Sequence, residues 1–128
     1  MKMLYSDERK VELLYNNIYN NYHYYILNLG THPTAYIEIP KEHFLYGKSY
    51  LDIEYIDVHG GLTYSSDSLI IGENSIIKNS WFIGWDYAHL NDYCGCFNSE
   101  LNKLAKKWTT SEINEECKKV IDIIKEIK

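Results

Sequence analysis

Imidazole and carboxylate side chains recur near two predicted turns, and these are the groups that perform acid–base chemistry or bind a divalent metal. The four candidates are His59, Asp86, His89 and Asp92. Asp86 and His89 are three residues apart, a spacing that suits a helical turn but puts two side chains on opposite faces of a strand. A buried, structural His–Asp pair is the commoner explanation, so these four residues alone indicate no reaction.

Cysteines and the familiar catalytic motifs add little to this. Cys94 and Cys96 are spaced too closely for a zinc knuckle, and Cys117 falls in the apolar stripe of a predicted helix. An odd count of three cysteines does not predict a disulfide framework. The chain has no GxSxG, P-loop or HExxH pattern. These motifs therefore make no case for a standard hydrolase or kinase, and we expect no metal and no cofactor.

The segment His59-Gly60-Gly61 has the composition of a ligand-binding loop. Two adjacent glycines permit positive φ and let a ligand approach the backbone closely, with amide groups available to an anion. A hairpin turn that needs left-handed residues is the alternative, and Gly-Gly is a common signal for one.

The segment 81–86 is the most strongly β-forming part of the chain. Alternation on a strand sends Trp81, Ile83 and Trp85 to one face, which is core. It sends Phe82, Gly84 and Asp86 to the other face, where an aromatic ring beside a glycine and a carboxylate could stack on a base. The alternative is that Phe82 covers a second hydrophobic layer.

Two lysines and a tryptophan precede a capped helix start. They are Lys106, Lys107 and Trp108, and the cap is Thr109. Backbone amides, hydroxyls and the helix dipole make such a terminus suitable for an anion. The alternative is a solvated charge run before an ordinary cap.

These segments require a scaffold, and the pattern predicts a helix first. Ser6 can cap it, and apolar residues follow at helical spacing: Val11, Leu14, Tyr15, Ile18 and Tyr22. Strands are predicted at 34–39, 50–58, 62–64 and 80–86, with a turn at 65–68. A short helix is predicted at 101–105. Thr109 and Glu112 form a capping box that starts a last amphipathic helix, whose expected solvent side includes Glu116.

The predicted fold is therefore α+β, with an N-terminal helix, an antiparallel or mixed sheet of about four strands, and a C-terminal amphipathic helix on one sheet face. Residues 1–128 suit a single domain. A net charge of −5 with 13 lysines and arginines argues against binding a nucleic acid polymer. The charged amino-terminal segment and the absence of a long apolar window predict a cytosolic protein with no membrane partner.

Several strings together resemble a small family spread through phages and prophages. They are His32–Tyr36, Ile39–Gly47, Val58–Ser65, Trp81–His89 with Asp92, and the run from Trp108 to Glu116. The chain is similar to the Thoeris anti-defence sponge proteins. Those proteins sequester the glycocyclic ADP-ribose signal of bacterial TIR-domain enzymes without cleaving it, and some members also hold cyclic dinucleotides or trinucleotides.

The resemblance implies a site between paired subunits in a homodimer or a higher assembly of dimers, in the cytoplasm of the infected host. It implies Phe82 as the base-stacking ring, with Asn91, Asp92 and the His59 loop near the ligand. Relatives place arginine at the start of the last helix, whereas this chain has Lys106, Lys107, Trp108 and Thr109 there. Backbone amides and hydroxyls are then the expected phosphate donors.

We assign twelve residues to the expected ligand site: Phe82, Asn91, Asp92, His59, Gly60, Gly61, Trp85, Asp86, His89, Lys107, Trp108 and Thr109. Two other classes of function stay open. One is a small phage nucleotide phosphodiesterase or hydrolase that uses the His and Asp residues, and the other is a protein-binding inhibitor of a host defence factor.

Overall fold

The computed structural model describes residues 11–30, 32–88 and 106–127. Over these residues the chain forms five strands, a short 3₁₀ helix at Tyr50–Asp52 and one α-helix. The strands are β1 (Glu12–Tyr19), β2 (Tyr22–Asn28), β3 (Pro33–Ile39), β4 (Tyr64–Gly72) and β5 (Ser75–Asp86). The helix is α1 (Thr110–Ile124). The predicted α+β class is confirmed, with five strands in place of about four.

All neighbouring strands pair antiparallel in the order β1-β2-β3-β5-β4. Helix α1 packs across one face of the sheet against β1, β2 and β3. The two outermost strands, β1 and β4, also approach each other. The sheet therefore curls around its second face, and this gives the domain two separate apolar clusters.

The predicted N-terminal helix is wrong for the described residues, because 11–28 form the β1–β2 hairpin. Asn20 and Asn21 adopt φ of 51° and 69°, the left-handed pair that a two-residue hairpin turn requires. The residues of β1 are mostly exposed, so the helical spacing of its apolar side chains matched no buried stripe. The proposed cap, Ser6, lies outside the described residues.

Two predictions in the middle of the chain are also wrong. Residues 50–58 form a 3₁₀ turn and irregular chain, where Ile53 and Ile56 are both buried although three residues apart, a spacing that does not fit the alternation of a strand. The predicted turn at 65–68 belongs to β4, in which Ser65 and Ser66 pair with Ile83 and Phe82 before a bulge. The serines are part of the strand because pairing with β5 satisfies their backbone groups. The strand predictions at 34–39 and 80–86 are confirmed.

The two faces of β5 separate as alternation predicts. Ile83 and Trp85 are buried in the cluster under α1, with Trp81 packed against it. Phe82 belongs to a second cluster within the curl of the sheet: Tyr25, Leu27, Tyr36, Leu69 and Phe82. Helix α1 has the predicted capping box, and its buried stripe is Ile113, Cys117, Val120, Ile121 and Ile124.

Candidate functional site

Three rings from different segments meet beside the start of α1, and we call His59, Tyr87 and Trp108 the aromatic cluster. The His59 and Tyr87 rings are stacked, with centroids 4.7 Å apart and planes 12° apart. The Trp108 indole lies 4.9 Å from the His59 ring and 5.1 Å from the Tyr87 ring. Tyr87 is fully buried, whereas His59 and Trp108 are half-buried. Tyr87 thus forms the floor of a surface that His59 and Trp108 present.

The carboxylate of Glu116 on α1 joins the cluster to the helix. One oxygen accepts a hydrogen bond from the Tyr87 hydroxyl, and the other accepts a hydrogen bond from the backbone amide of His59 at 2.8 Å. The Tyr87 oxygen in turn accepts from the indole nitrogen of Trp85 at 3.0 Å. Burial and the Glu116 carboxylate both raise the pKa of the Tyr87 hydroxyl, so it stays protonated and donates.

The glycines after His59 form a tight turn. Gly60 and Gly61 have φ of 70° and 85°, and the Gly61 amide donates to the carbonyl of Val58 at 2.8 Å. A Cβ added at Gly61 would meet no neighbouring atom of the described residues within 4 Å. Backbone conformation rather than crowding therefore requires glycine here, and this fits the turn interpretation while leaving room above the loop.

The start of α1 is occupied by the chain's own groups. Thr109 accepts the amide of Glu112, and the Glu112 carboxylate accepts the amide of Thr109, as a capping box predicts. The same carboxylate lies 2.8 Å from the Lys106 ammonium, and these hydrogen bonds lower its pKa. The Lys106 nitrogen also lies 4.1 Å from the centroid of the Trp108 ring. A phosphate bound at this terminus would compete with Glu112 for Lys106.

The structure divides the predicted site between the two faces of the sheet. His59, Gly60, Gly61, Trp108 and Thr109 lie around the aromatic cluster, and exposed Lys107 precedes Trp108. Trp85 is buried beneath the cluster and supports Tyr87.

Phe82 does not lie with these residues. It is 0% exposed within the second apolar cluster, where the Tyr25 ring meets it edge-on at 6.1 Å. A fully buried ring offers no face to a base in this conformation, so the expected base-stacking role of Phe82 stays a prediction that the described contacts do not support. The alternative of a second hydrophobic layer is the one that the structure supports, although that layer lies on the face opposite the helix.

Asp86 ends β5 on the Phe82 side of the strand. Its carboxylate accepts from the Thr63 hydroxyl, 23 residues away, at 3.4 Å and from the nearby Ala88 amide at 3.3 Å. The remaining predicted residues lie outside the described residues: His89, Asn91, Asp92, Cys94, Cys96 and the helix at 101–105. Within 11–30, 32–88 and 106–127, no three His, Cys, Asp or Glu side chains group as metal ligands.

The sequence analysis missed Tyr87 and Glu116 as members of this site. Glu116 was expected on the solvent side of the last helix, yet it lies three residues after Ile113 and four before Val120, both of which are buried. That spacing puts it at the border of the apolar stripe, and this was the available signal. Tyr87 follows the strongly β segment directly, where continued alternation points it to the core face.

Comparison with protein-family models, with curated proteins and with solved structures finds no match for this chain. None of the helices in the described part of the chain has the length and apolar character needed to span a membrane.

Proposed function

We propose that this chain binds a nucleotide signal of the cyclic ADP-ribose type without cleaving it, and so acts as a phage anti-defence protein against Thoeris immunity in the infected host cytoplasm. The observation that carries the proposal is the aromatic cluster at the surface, flanked by a left-handed glycine turn and by Lys106. The similarity of the sequence strings to the sponge family supplies the ligand class.

The half-buried rings of the cluster suit a nucleobase. Stacking of a base on an aromatic ring contributes about 1–3 kcal/mol. In this proposal the base stacks on the outer ring surface of His59 or Trp108, and Tyr87 keeps both rings in place from below. In the proposal Trp108 therefore takes the base-stacking role that was expected of Phe82.

The phosphates require positive charge, which the chain as a whole lacks at a net charge of −5. Lys106 lies between the Trp108 ring and the Glu112 carboxylate, so it can exchange that carboxylate for a phosphate while staying at the cluster. Exposed Lys107 and the Thr109 cap flank Trp108 in the sequence. A local positive patch of this kind admits one small dianion but not a nucleic acid polymer.

A sponge must compete with a receptor, and nanomolar affinity corresponds to about −12 kcal/mol. One stacked base and a few charge-assisted contacts supply only part of that. Enclosure of the ligand between two copies of the chain would supply the remainder, because a preformed cavity reduces the ordering that binding requires. The proposal therefore includes a homodimer.

The two acid–base candidates among the described residues both make contacts within the chain. The His59 ring stacks on Tyr87, and the Asp86 carboxylate accepts from the Thr63 hydroxyl and the Ala88 amide. In the proposal these residues support the site and do not cleave the ligand.

A thermal-shift panel of glycocyclic ADP-ribose, cyclic ADP-ribose, linear ADP-ribose and cyclic dinucleotides tests the proposal. A ligand at about 100 times its dissociation constant stabilises by about 2.7 kcal/mol. Trp108→Ala should remove most of that shift. The matched control is Trp81→Ala, which deletes a half-buried indole packed against Tyr46 and bonded to the Lys48 carbonyl. No shift with any of these nucleotides, or equal loss in both variants, contradicts the proposal.

A further inference from the structure

We infer that Glu116 is the positioning residue of the proposed nucleotide site, and that its carboxylate sets the geometry of both the glycine turn and the aromatic cluster. The inference rests on the proposed function for its ligand, but the contacts that carry it belong to the folded chain alone. Glu116 was expected to be a solvated helix residue, and nothing in the proposed recognition of base or phosphate requires it to touch the ligand.

Each oxygen of the Glu116 carboxylate accepts from a different segment. The backbone amide of His59 donates to one oxygen at 2.8 Å, at the point where the chain enters the Gly60–Gly61 turn. The Tyr87 hydroxyl donates to the other oxygen, just beyond the end of β5. The helix, the turn and the end of β5 therefore meet at a single side chain. The two oxygens of this carboxylate fix the distance between the His59 amide and the Tyr87 hydroxyl.

The direction of the hydrogen bonds makes this arrangement specific to a carboxylate. The Tyr87 oxygen already accepts from the indole of Trp85 at 3.0 Å, which leaves its proton for Glu116. The His59 amide can only donate. Two donors thus require two acceptor oxygens, and an amide side chain offers just one. In Glu116→Gln either His59 or Tyr87 loses its acceptor, although the shape of the side chain is kept.

The consequence for binding passes through His59. Its amide is held by Glu116 and its ring is stacked on Tyr87, whose hydroxyl is held by the same carboxylate. Release of either bond allows the turn to shift relative to the rings. A preorganised site needs less ordering when the ligand binds. A looser turn therefore lowers the affinity for the ligand even though no contact with the ligand is lost.

The test compares Glu116→Gln with Tyr24→Phe. Tyr24→Phe removes a hydroxyl that donates to the Asn114 side chain, so it breaks another sheet-to-α1 hydrogen bond away from the cluster. Amide hydrogen exchange is measured without ligand, and affinity is measured by calorimetry with glycocyclic ADP-ribose. We expect Glu116→Gln to speed exchange of the His59 and Gly61 amides about tenfold and to weaken binding about tenfold. Tyr24→Phe should leave exchange at the turn and the affinity within about twofold.

The outcomes separate this inference from the proposed function. Unchanged exchange at both His59 and Gly61 together with unchanged affinity in Glu116→Gln overturns the positioning role, and so does equal weakening of binding in the two variants. Failure of the unaltered protein to bind the nucleotide overturns the proposed function instead, whatever the exchange rates show. Glu116→Asp gives a second check, because a shorter carboxylate keeps both acceptors and should weaken binding less than Glu116→Gln does.

Discussion

Gly84 lies near the end of β5, between β3 and β4, and we predict that Gly84→Ala destabilises the fold strongly. Its register partners on the two adjacent strands are Tyr36 on β3 and Tyr64 on β4. These tyrosine rings meet edge to face, with centroids 5.0 Å apart. A Cβ built at Gly84 would lie 2.4 Å from Cδ2 of Tyr36 and 2.7 Å from the Ala35 carbonyl oxygen. The Tyr36 ring therefore packs directly on the Gly84 backbone.

The size of the effect follows from what could move to admit a methyl group. The Ala35 oxygen belongs to the paired backbone of β3, and Tyr36 is only 7% exposed, so neither can yield without moving its neighbours. Overpacking of a core costs about 1–3 kcal/mol and occasionally more. Replacing glycine by alanine restricts the unfolded chain and returns about 0.4–1 kcal/mol. With a cost at the upper end of that range, we expect a net loss of about 2 kcal/mol in the free energy of unfolding.

Urea denaturation followed by circular dichroism measures this loss, which at about 4 °C per kcal/mol lowers the Tm by about 8 °C. Gly72→Ala is the control, because an added Cβ there meets its nearest neighbour, Cβ of Ser75, at an ordinary 3.8 Å. We expect that variant to unfold within about 0.5 kcal/mol of the unaltered protein. If Gly84→Ala is as stable as Gly72→Ala, the packing of Tyr36 on Gly84 is not as described.

Three further predictions concern other parts of the structure. Phe82→Ala, which removes a fully buried ring, should lower the unfolding free energy by about 3–5 kcal/mol in urea denaturation; a loss below about 1 kcal/mol would mean that the ring is not core. Thr109→Ala removes the side chain that accepts the Glu112 amide and should cost about 1 kcal/mol in the same assay, whereas Thr109→Ser should cost less; equal losses would contradict the cap. Desolvation raises the pKa of Tyr36 from 10.0 to about 12. The stability that the protonated Tyr36 hydroxyl contributes is therefore fully present below about pH 10 and is lost as the pH rises towards about 12. Tyr36→Phe should reduce the fall in unfolding free energy between about pH 9 and about pH 11.5 by about 2 kcal/mol, and an unreduced fall would refute this.

The elements that sequence predicted well are those fixed by local chemistry. The capping box of Thr109 and Glu112 starts α1 where expected, because both partners lie within one helical turn. The alternation at 81–86 gave the correct two faces of β5. The prediction of an N-terminal helix failed because the spacing of the apolar residues fits a helix as well as a strand. The feature that decides for a β-hairpin is the left-handed turn at Asn20 and Asn21.

The site was predicted in part for the same reason. The His59 turn and Trp108 come together as residues of one surface, and each had a local signal of its own. The role of Phe82 depended on what covers the second face of the sheet, and the approach of β1 to β4 decides that. Glu116 pairs with groups 29 and 57 residues away, and no local pattern announces such a contact.

The fate of a bound nucleotide tests the central claim most directly. The protein is incubated with glycocyclic ADP-ribose, separated from unbound nucleotide by gel filtration, denatured by heat, and the released compound is identified by mass spectrometry. We predict that the unaltered protein retains the nucleotide and releases it intact, and that Trp108→Ala retains little. Recovery of linear ADP-ribose or another product, or no retention by the unaltered protein, would contradict sequestration at the aromatic cluster.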